Sequence, residues 1–190
     1  MHKPKPAGKK KVVFQGKTFE IVQQKFRAGK HIIISERARR APGVRLIIIK
    51  DKKLLLTREY RPELSKFDYR LPGGKVFDSL REYKKAQGLK VNMLQAARRA
   101  GKQECLEETG LIARKLTLFQ TTKAGLTVEW NLYYFIVEDF AKHKDGQHLH
   151  KGEIIYPEWK IFEEARRMCL EGKIQEDRSV GVLLKFLLTR

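Results

Sequence analysis

The chain has 190 residues, 42% of them apolar and 33% charged, which suits one domain with a real core and excludes a wholly disordered chain. Its longest aliphatic runs, residues 46–49 and 54–56, are far too short to cross a bilayer, and no apolar segment follows the N-terminal lysines as a secretory signal requires. Two cysteines, Cys105 and Cys169, do not make a disulfide framework or a cysteine zinc site, so a soluble cytoplasmic protein is the expectation.

The net charge of +19 is uneven: residues 1–50 carry +12 and residues 51–100 carry +7, while the second half is neutral. Such a basic half suits either a nucleic-acid backbone or a small anionic substrate. Nucleic acid is not favoured, because no RNP motif, zinc finger or clear helix-turn-helix pattern accompanies the charge.

Residues 1–11, with two prolines, a glycine and five lysines, read as a flexible basic tail. Residues 11–22 alternate loosely around Gly16, as a hairpin does, and residues 31–36 read as another strand. Ala41-Pro42-Gly43 breaks the chain before two apolar runs, 44–49 and 54–57, joined by the charged turn Lys50-Asp51-Lys52-Lys53. Residues 60–69 are polar and read as a loop, and residues 79–92 as a charged, irregular stretch. Residues 93–109 have helical propensity and end at Gly110, where a C-cap glycine belongs. Residues 115–122 and 127–138 read as strands, 141–152 as a polar loop holding three of the five histidines, and 154–159 as extended. Two helices close the chain, at 162–171 and 179–188. Strands, a central helix, more strands and final helices make a mixed α/β fold.

The chemistry concentrates in Gln103-Glu104-Cys105-Leu106-Glu107-Glu108-Thr109-Gly110-Leu111. On a helix, Glu107 and Glu108 lie roughly 60° and 40° to either side of Glu104, so the three carboxylates share a face. Packed this closely they repel one another, and a cation must offset the repulsion. Carboxylate oxygens suit the hard ions Mg²⁺ or Mn²⁺. One turn upstream, Ala97, Ala100 and Gly101 are small and leave room beside them, and Leu71-Pro72-Gly73-Gly74-Lys75 supplies a turn whose backbone can approach a ligand or the helix.

Together these segments resemble the Nudix box, G-x5-E-x7-R-E-U-x-E-E-x-G-U with U aliphatic. Gly74 matches its opening glycine, Glu104, Glu107 and Glu108 its metal-binding glutamates, and Gly110 and Leu111 its close. The sequence departs from the pattern in three places. Roughly 15 extra residues, about 79–93, separate Gly74 from the helix. Gln103 stands where the box has arginine, with Arg98, Arg99 and Lys102 as possible substitutes. The first box glutamate has no clear counterpart, leaving Asp78 and Glu82 as candidates.

The resemblance implies a Nudix-type α/β/α sandwich with a mixed sheet over residues 43–190, preceded by an N-terminal β-region at 12–42. Arg58-Glu59-Tyr60-Arg61-Pro62, Arg39-Arg40-Ala41-Pro42-Gly43-Val44 and the Gly172-to-Asp177 segment are similar to the ADP-ribose pyrophosphatase group of that family. The implied activity is Mg²⁺-dependent hydrolysis of a nucleoside diphosphate sugar, ADP-ribose to AMP and ribose 5-phosphate. GDP-mannose or another nucleotide sugar, and an RNA-associated or catalytically weak Nudix protein, are the alternatives. The resemblance assigns the metal to Glu104, Glu107 and Glu108, with Glu104 and Glu108 the main direct ligands. Substrate phosphates fall to Arg61, an arginine of the 37–40 run, Arg40 above all, and the turn at Gly74. Phe19 or Phe26 would stack on adenine. Catalysis falls to Glu107 and to Glu153 as general base, with Asp145 the alternative to Glu153. The group dimerises through its N-terminal β-region, which makes 12–42 the candidate dimerisation element of a homodimer. His143, His148 and His150 read as solvent-exposed rather than as zinc ligands.

Overall fold

The computed structural model describes residues 3–190. In chain order its elements are β1 (Lys5–Pro6), β2 (Lys11–Gln15), β3 (Phe19–Ala28), β4 (His31–Arg40), β5 (Gly43–Lys50), β6 (Lys53–Arg61), a 3₁₀ turn (Pro62–Leu64), β7 (Lys66–Arg70), α1 (Leu80–Gly88) and α2 (Met93–Thr109). There follow β8 (Leu111–Ala113), β9 (Thr117–Lys123), β10 (Val128–Glu129), β11 (Asn131–Val137), β12 (Phe140–Lys142), β13 (Ile155–Ile161), α3 (Phe162–Leu170) and α4 (Asp177–Leu187). These elements divide between two compact units.

The first unit comprises the described residues up to Pro42, Phe77–Val91 and Lys123–Asn131. Its sheet has the order β1-β3-β4-β10, and β2 also pairs with β3. The β3–β4 hairpin is paired from Phe19↔Arg40 to Ala28↔His31 and turns at Gly29, whose φ of 61° suits glycine. Within the basic tail, Lys5–Pro6 pairs with Phe26 and Arg27, so part of it forms an edge strand. The inner face of β3 is unusual in holding Glu20, fully buried, beside Val22 and Gln24. Glu20 is compensated by Arg39 Nη1 at 3.1 Å and Lys84 Nζ at 2.5 Å. Lys84 comes from α1, so a buried carboxylate ties that helix to the sheet.

Residues 79–92 thus hold a helix where an irregular stretch is expected. The signal lies in Ser79 and Glu82. Ser79 Oγ accepts from the Glu82 N–H, and Glu82 Oε2 accepts from the Asp78 N–H, a capping arrangement that satisfies exposed donors of the first turn. Leu80 and Ala86 then bury one face.

The second unit comprises Gly43–Val76, Asn92–Thr122 and Leu132–Arg190. Its six-stranded sheet runs β13-β6-β5-β11-β9, with β7 beside the C-terminal half of β6. The sheet is mixed: β5 is parallel to β11 and antiparallel to β6. Residues 60–69, expected as a loop, instead finish β6, turn at Pro62–Leu64 and return as β7, with Tyr60 opposite Phe67. Pro62 begins the turn with its φ already set.

Alternation along the strands builds two apolar layers. Val44, Leu46, Ile48, Phe135 and Val137 pack with Ala97 and Cys105 of α2. The intervening Tyr134 points the other way, its hydroxyl 3.4 Å from Ser179 Oγ of α4, and Phe186 of α4 packs edge-on to Phe119 and Phe162. Helices therefore cover both faces of a mixed sheet, the α/β/α sandwich expected of the sequence. Gly101 lets α2 approach closely, since a Cβ there would lie 2.8 Å from Leu116 Cδ2. Both cysteines are buried and free. No helix among the described residues is long and apolar enough to cross a membrane.

Candidate active site

Helix α2 carries the acidic cluster. Asn92 caps its start by accepting from the Gln95 N–H, and Gly110 ends it at φ 68° with its N–H on the Leu106 carbonyl. Between these caps the helical repeat places Glu104 and Glu108 one turn apart, on the side facing Gly73 and Gly74. The Gly73 N–H donates to Glu108 Oε2 at 2.8 Å. A Cβ on Gly74 would lie 2.0 Å from Glu104 Oε1. The turn is itself fixed to the sheet, because the Val44 N–H donates to the Gly74 carbonyl at 2.9 Å and the Leu46 N–H to the Pro72 carbonyl at 2.8 Å.

Both carboxyls are strongly perturbed. Glu108 is pushed up to about 8, by burial first and then by the charge of Glu104. Glu104 is pushed up to about 7, again by burial first and then by Glu107. Two carboxyls that resist ionising side by side would be relieved by added positive charge. A donor set of carboxylate oxygens alone fits the hard ions Mg²⁺ or Mn²⁺.

Glu107 is engaged by a neighbour on the helix. Gln103 Nε2 donates to its Oε1 at 2.8 Å, so the amide takes a position where arginine was expected to serve a glutamate. None of the three proposed substitutes does so. Arg98 Nη1 donates instead to the Leu116 carbonyl at 2.6 Å, and Arg99 and Lys102 are exposed.

The cation that tempers the cluster is Arg45 of β5, which is 7% exposed and lowers the pKa of Glu59, Glu104 and Glu108. It is held by Nη1 donating to the carbonyls of Val44 and Gly73, both at 3.1 Å, and by Nε at 3.4 Å from Glu176 Oε2. Sequence reasoning missed Arg45 and Glu59. Glu59 shares a strand face with Arg61, two residues on, which was a usable signal.

Arg61 Nη2 lies 2.6 Å from Glu59 Oε2, and the charge of Glu108 also acts on it. Burial nevertheless lowers the Arg61 pKa, and its Nε is buried without a hydrogen-bond partner. A partly desolvated guanidinium with an unused donor suits an incoming anion. Glu153 is exposed, accepts the His150 N–H at 2.9 Å, and raises the pKa of Glu59 and Glu104 through its charge. Glu59, Glu104, Glu107, Glu108, Glu153, Arg61 and Gly74 are thus gathered in the second unit. Asp145 is exposed on the same unit's polar loop.

Arg40, Phe19 and Phe26 belong to the first unit. Arg40 lies over the Trp130 ring at 3.9 Å and lines a cavity of about 560 Å³ with Arg37, Arg39, Tyr83 and Lys123. Arg37 and Arg39 both pair with Glu129. Phe19 is exposed and packs on Phe14, and Phe26 is half-buried.

No family model matches the chain, and no curated protein does. Its structure is similar to one described as the crystal structure of an ADP compounds hydrolase, with a TM-score of 0.71 and 19% identity over 100% of this chain and 94% of that one. This likeness establishes the mixed α/β fold.

Proposed function

We propose that the protein is a Nudix-type pyrophosphohydrolase that uses Mg²⁺, or Mn²⁺, to cleave a nucleoside diphosphate sugar, with ADP-ribose giving AMP and ribose 5-phosphate. The observation that carries this reading is the pairing of Glu104 and Glu108 against the Gly73-Gly74 turn, with both carboxyls raised. The fold shared with an ADP compounds hydrolase supports it.

Each residue then has a task. Glu104 and Glu108, with Glu107, would hold the metal, whose charge would supply neutralisation of phosphate oxygens and acidification of a bound water. Arg61 receives a phosphate through the donor it leaves unused. Arg45 fixes Gly73 and keeps the carboxylates ionisable. Glu153, on an exposed loop edge, accepts a proton from the attacking water. Gly74, without a side chain, lets the Glu104 carboxylate lie against the turn.

Homodimerisation through residues 12–42 accompanies this reading. Its support is the exposed apolar side chains there, Val12, Val13, Phe14, Ile32, Ile33 and Ile34. The experiment that tests the function is a panel of nucleoside diphosphate compounds, GDP-mannose included, incubated with the protein and Mg²⁺. Release of nucleoside monophosphate, fastest from ADP-ribose, is expected. Absence of release from every compound would contradict the proposal, and salt-sensitive RNA binding in its place would favour the RNA-associated alternative.

A further inference from the structure

The loop after β12 holds a group of side chains that the proposed hydrolysis does not use. His143, Asp145 and His148 each bring one ligand atom, and these atoms lie within 4.8 Å of one another. The two imidazoles meet edge to face with centroids 4.7 Å apart. The loop backbone folds back on itself between them, through Gly146 at φ 72°.

This arrangement sits on a fixed platform. The His143 N–H donates to the Gly110 carbonyl at 2.8 Å and the His148 N–H to the Glu107 carbonyl at 3.0 Å. Between them, Gln147 Nε2 donates to the Glu108 carbonyl at 2.5 Å and to the Ile155 carbonyl at 3.2 Å. Three points of attachment along six residues hold both histidines against the last turn of α2. The entropy of bringing the ligands together is therefore already spent in the folded chain.

We propose that His143, Asp145 and His148 form a transition-metal site that takes Zn²⁺. Two imidazoles and one carboxylate are a familiar three-ligand set for zinc, leaving the fourth position to water. Imidazole donors select borderline ions over Mg²⁺, whereas the all-carboxylate cluster on α2 selects hard ions. The two sets differ in chemistry, so they are separable by metal. A zinc ion here cross-links positions 143 and 148 and clamps the loop that leads to Glu153. His150 stands outside the set, with its Nε2 3.8 Å from Glu107 Oε2.

The test is equilibrium dialysis of the Glu104→Gln/Glu108→Gln double variant against Zn²⁺, which removes two of the three competing carboxylates. Amides at those positions relieve a buried repulsion, so this variant is expected to fold. It is expected to take up one zinc per chain. Adding His143→Ala and His148→Ala is expected to weaken that uptake by about tenfold or more. Co²⁺ in place of Zn²⁺ is expected to give the visible absorption of a four-coordinate ion, lost with the same histidines. No uptake by the double variant, or uptake that falls less than this when the histidines are removed, overturns the proposal. Neither result bears on hydrolysis, which is read with Mg²⁺ and the intact carboxylates.

Discussion

The N–H of Gly73 donates to Glu108 Oε2 at 2.8 Å, and this bond joins the turn before the helix to the most perturbed carboxyl on it. The two glycines of the turn do different work, and substitution separates them. At Gly73 the φ is +140° and a Cβ would lie 2.3 Å from the Val44 carbonyl oxygen, a rigid neighbour. Gly73→Ala is expected to destabilise the fold by about 2 kcal/mol or more in urea denaturation. At Gly74 the obstructing atoms belong to the end of the Glu104 side chain, which can swing away. Gly74→Ala is expected to cost about 1 kcal/mol or less while lowering Mg²⁺-dependent turnover by roughly a hundredfold, because the proposed metal ligand Glu104 is displaced. Equal stability losses for the two variants would contradict this division.

The raised carboxyls give the metal-free protein a pH signature. Unfolded, Glu104 and Glu108 ionise near 4.5; folded, they are raised to about 7 and about 8. The folded state therefore holds protons that the unfolded state has released. The pair's favourable contribution is complete below 4.5 and is lost as pH rises through 7 to 8, on the order of a few kcal/mol in all. Thermal melts in chelator are expected to show lower stability near about pH 8.5 than near about pH 5.5. The Glu104→Gln/Glu108→Gln variant is expected to lose most of that difference. An unchanged pH dependence in the variant would count against the buried pair.

Arg61 provides a test of substrate contact. Its unused Nε and forked geometry are suited to two phosphate oxygens, which lysine cannot match. Arg61→Lys is expected to raise KM for ADP-ribose by about tenfold with a smaller change in kcat. A KM left at the wild-type value would remove Arg61 from the binding site.

Ser79 tests the helix that sequence reading overlooked. Ser79→Ala removes the acceptor for the Glu82 N–H and is expected to cost about 1 kcal/mol, read as a drop in Tm. No change would mean that the cap contributes little to α1.

What the sequence revealed and concealed follows from how far apart the interacting residues lie. Helix α2 was legible to the residue because its signals are local: the repeat of small and apolar positions, and Gly110 at its end. Glu104 and Glu108 were legible for the same reason, since a four-residue spacing fixes their common face. The α1 helix was hidden by its charge and by Gly88, although Ser79 and Glu82 marked its start. Pro62 and the polar side chains around it likewise masked the β6–β7 return, whose pairing depends on the rest of the sheet. Arg45 was concealed more deeply. It sits within an aliphatic run, and only the pairing of β5 and the path of the 71–74 turn bring it to the carboxylates. Gln103 was read as a gap in the motif, yet it hydrogen-bonds the glutamate one turn on.

The central claim is that the α2 carboxylates carry the hydrolysis, and turnover of ADP-ribose with Mg²⁺ by Glu108→Gln tests it most directly. A folded variant whose turnover falls by at least about a hundredfold is expected. A folded variant that cleaves the substrate at close to the wild-type rate would contradict it.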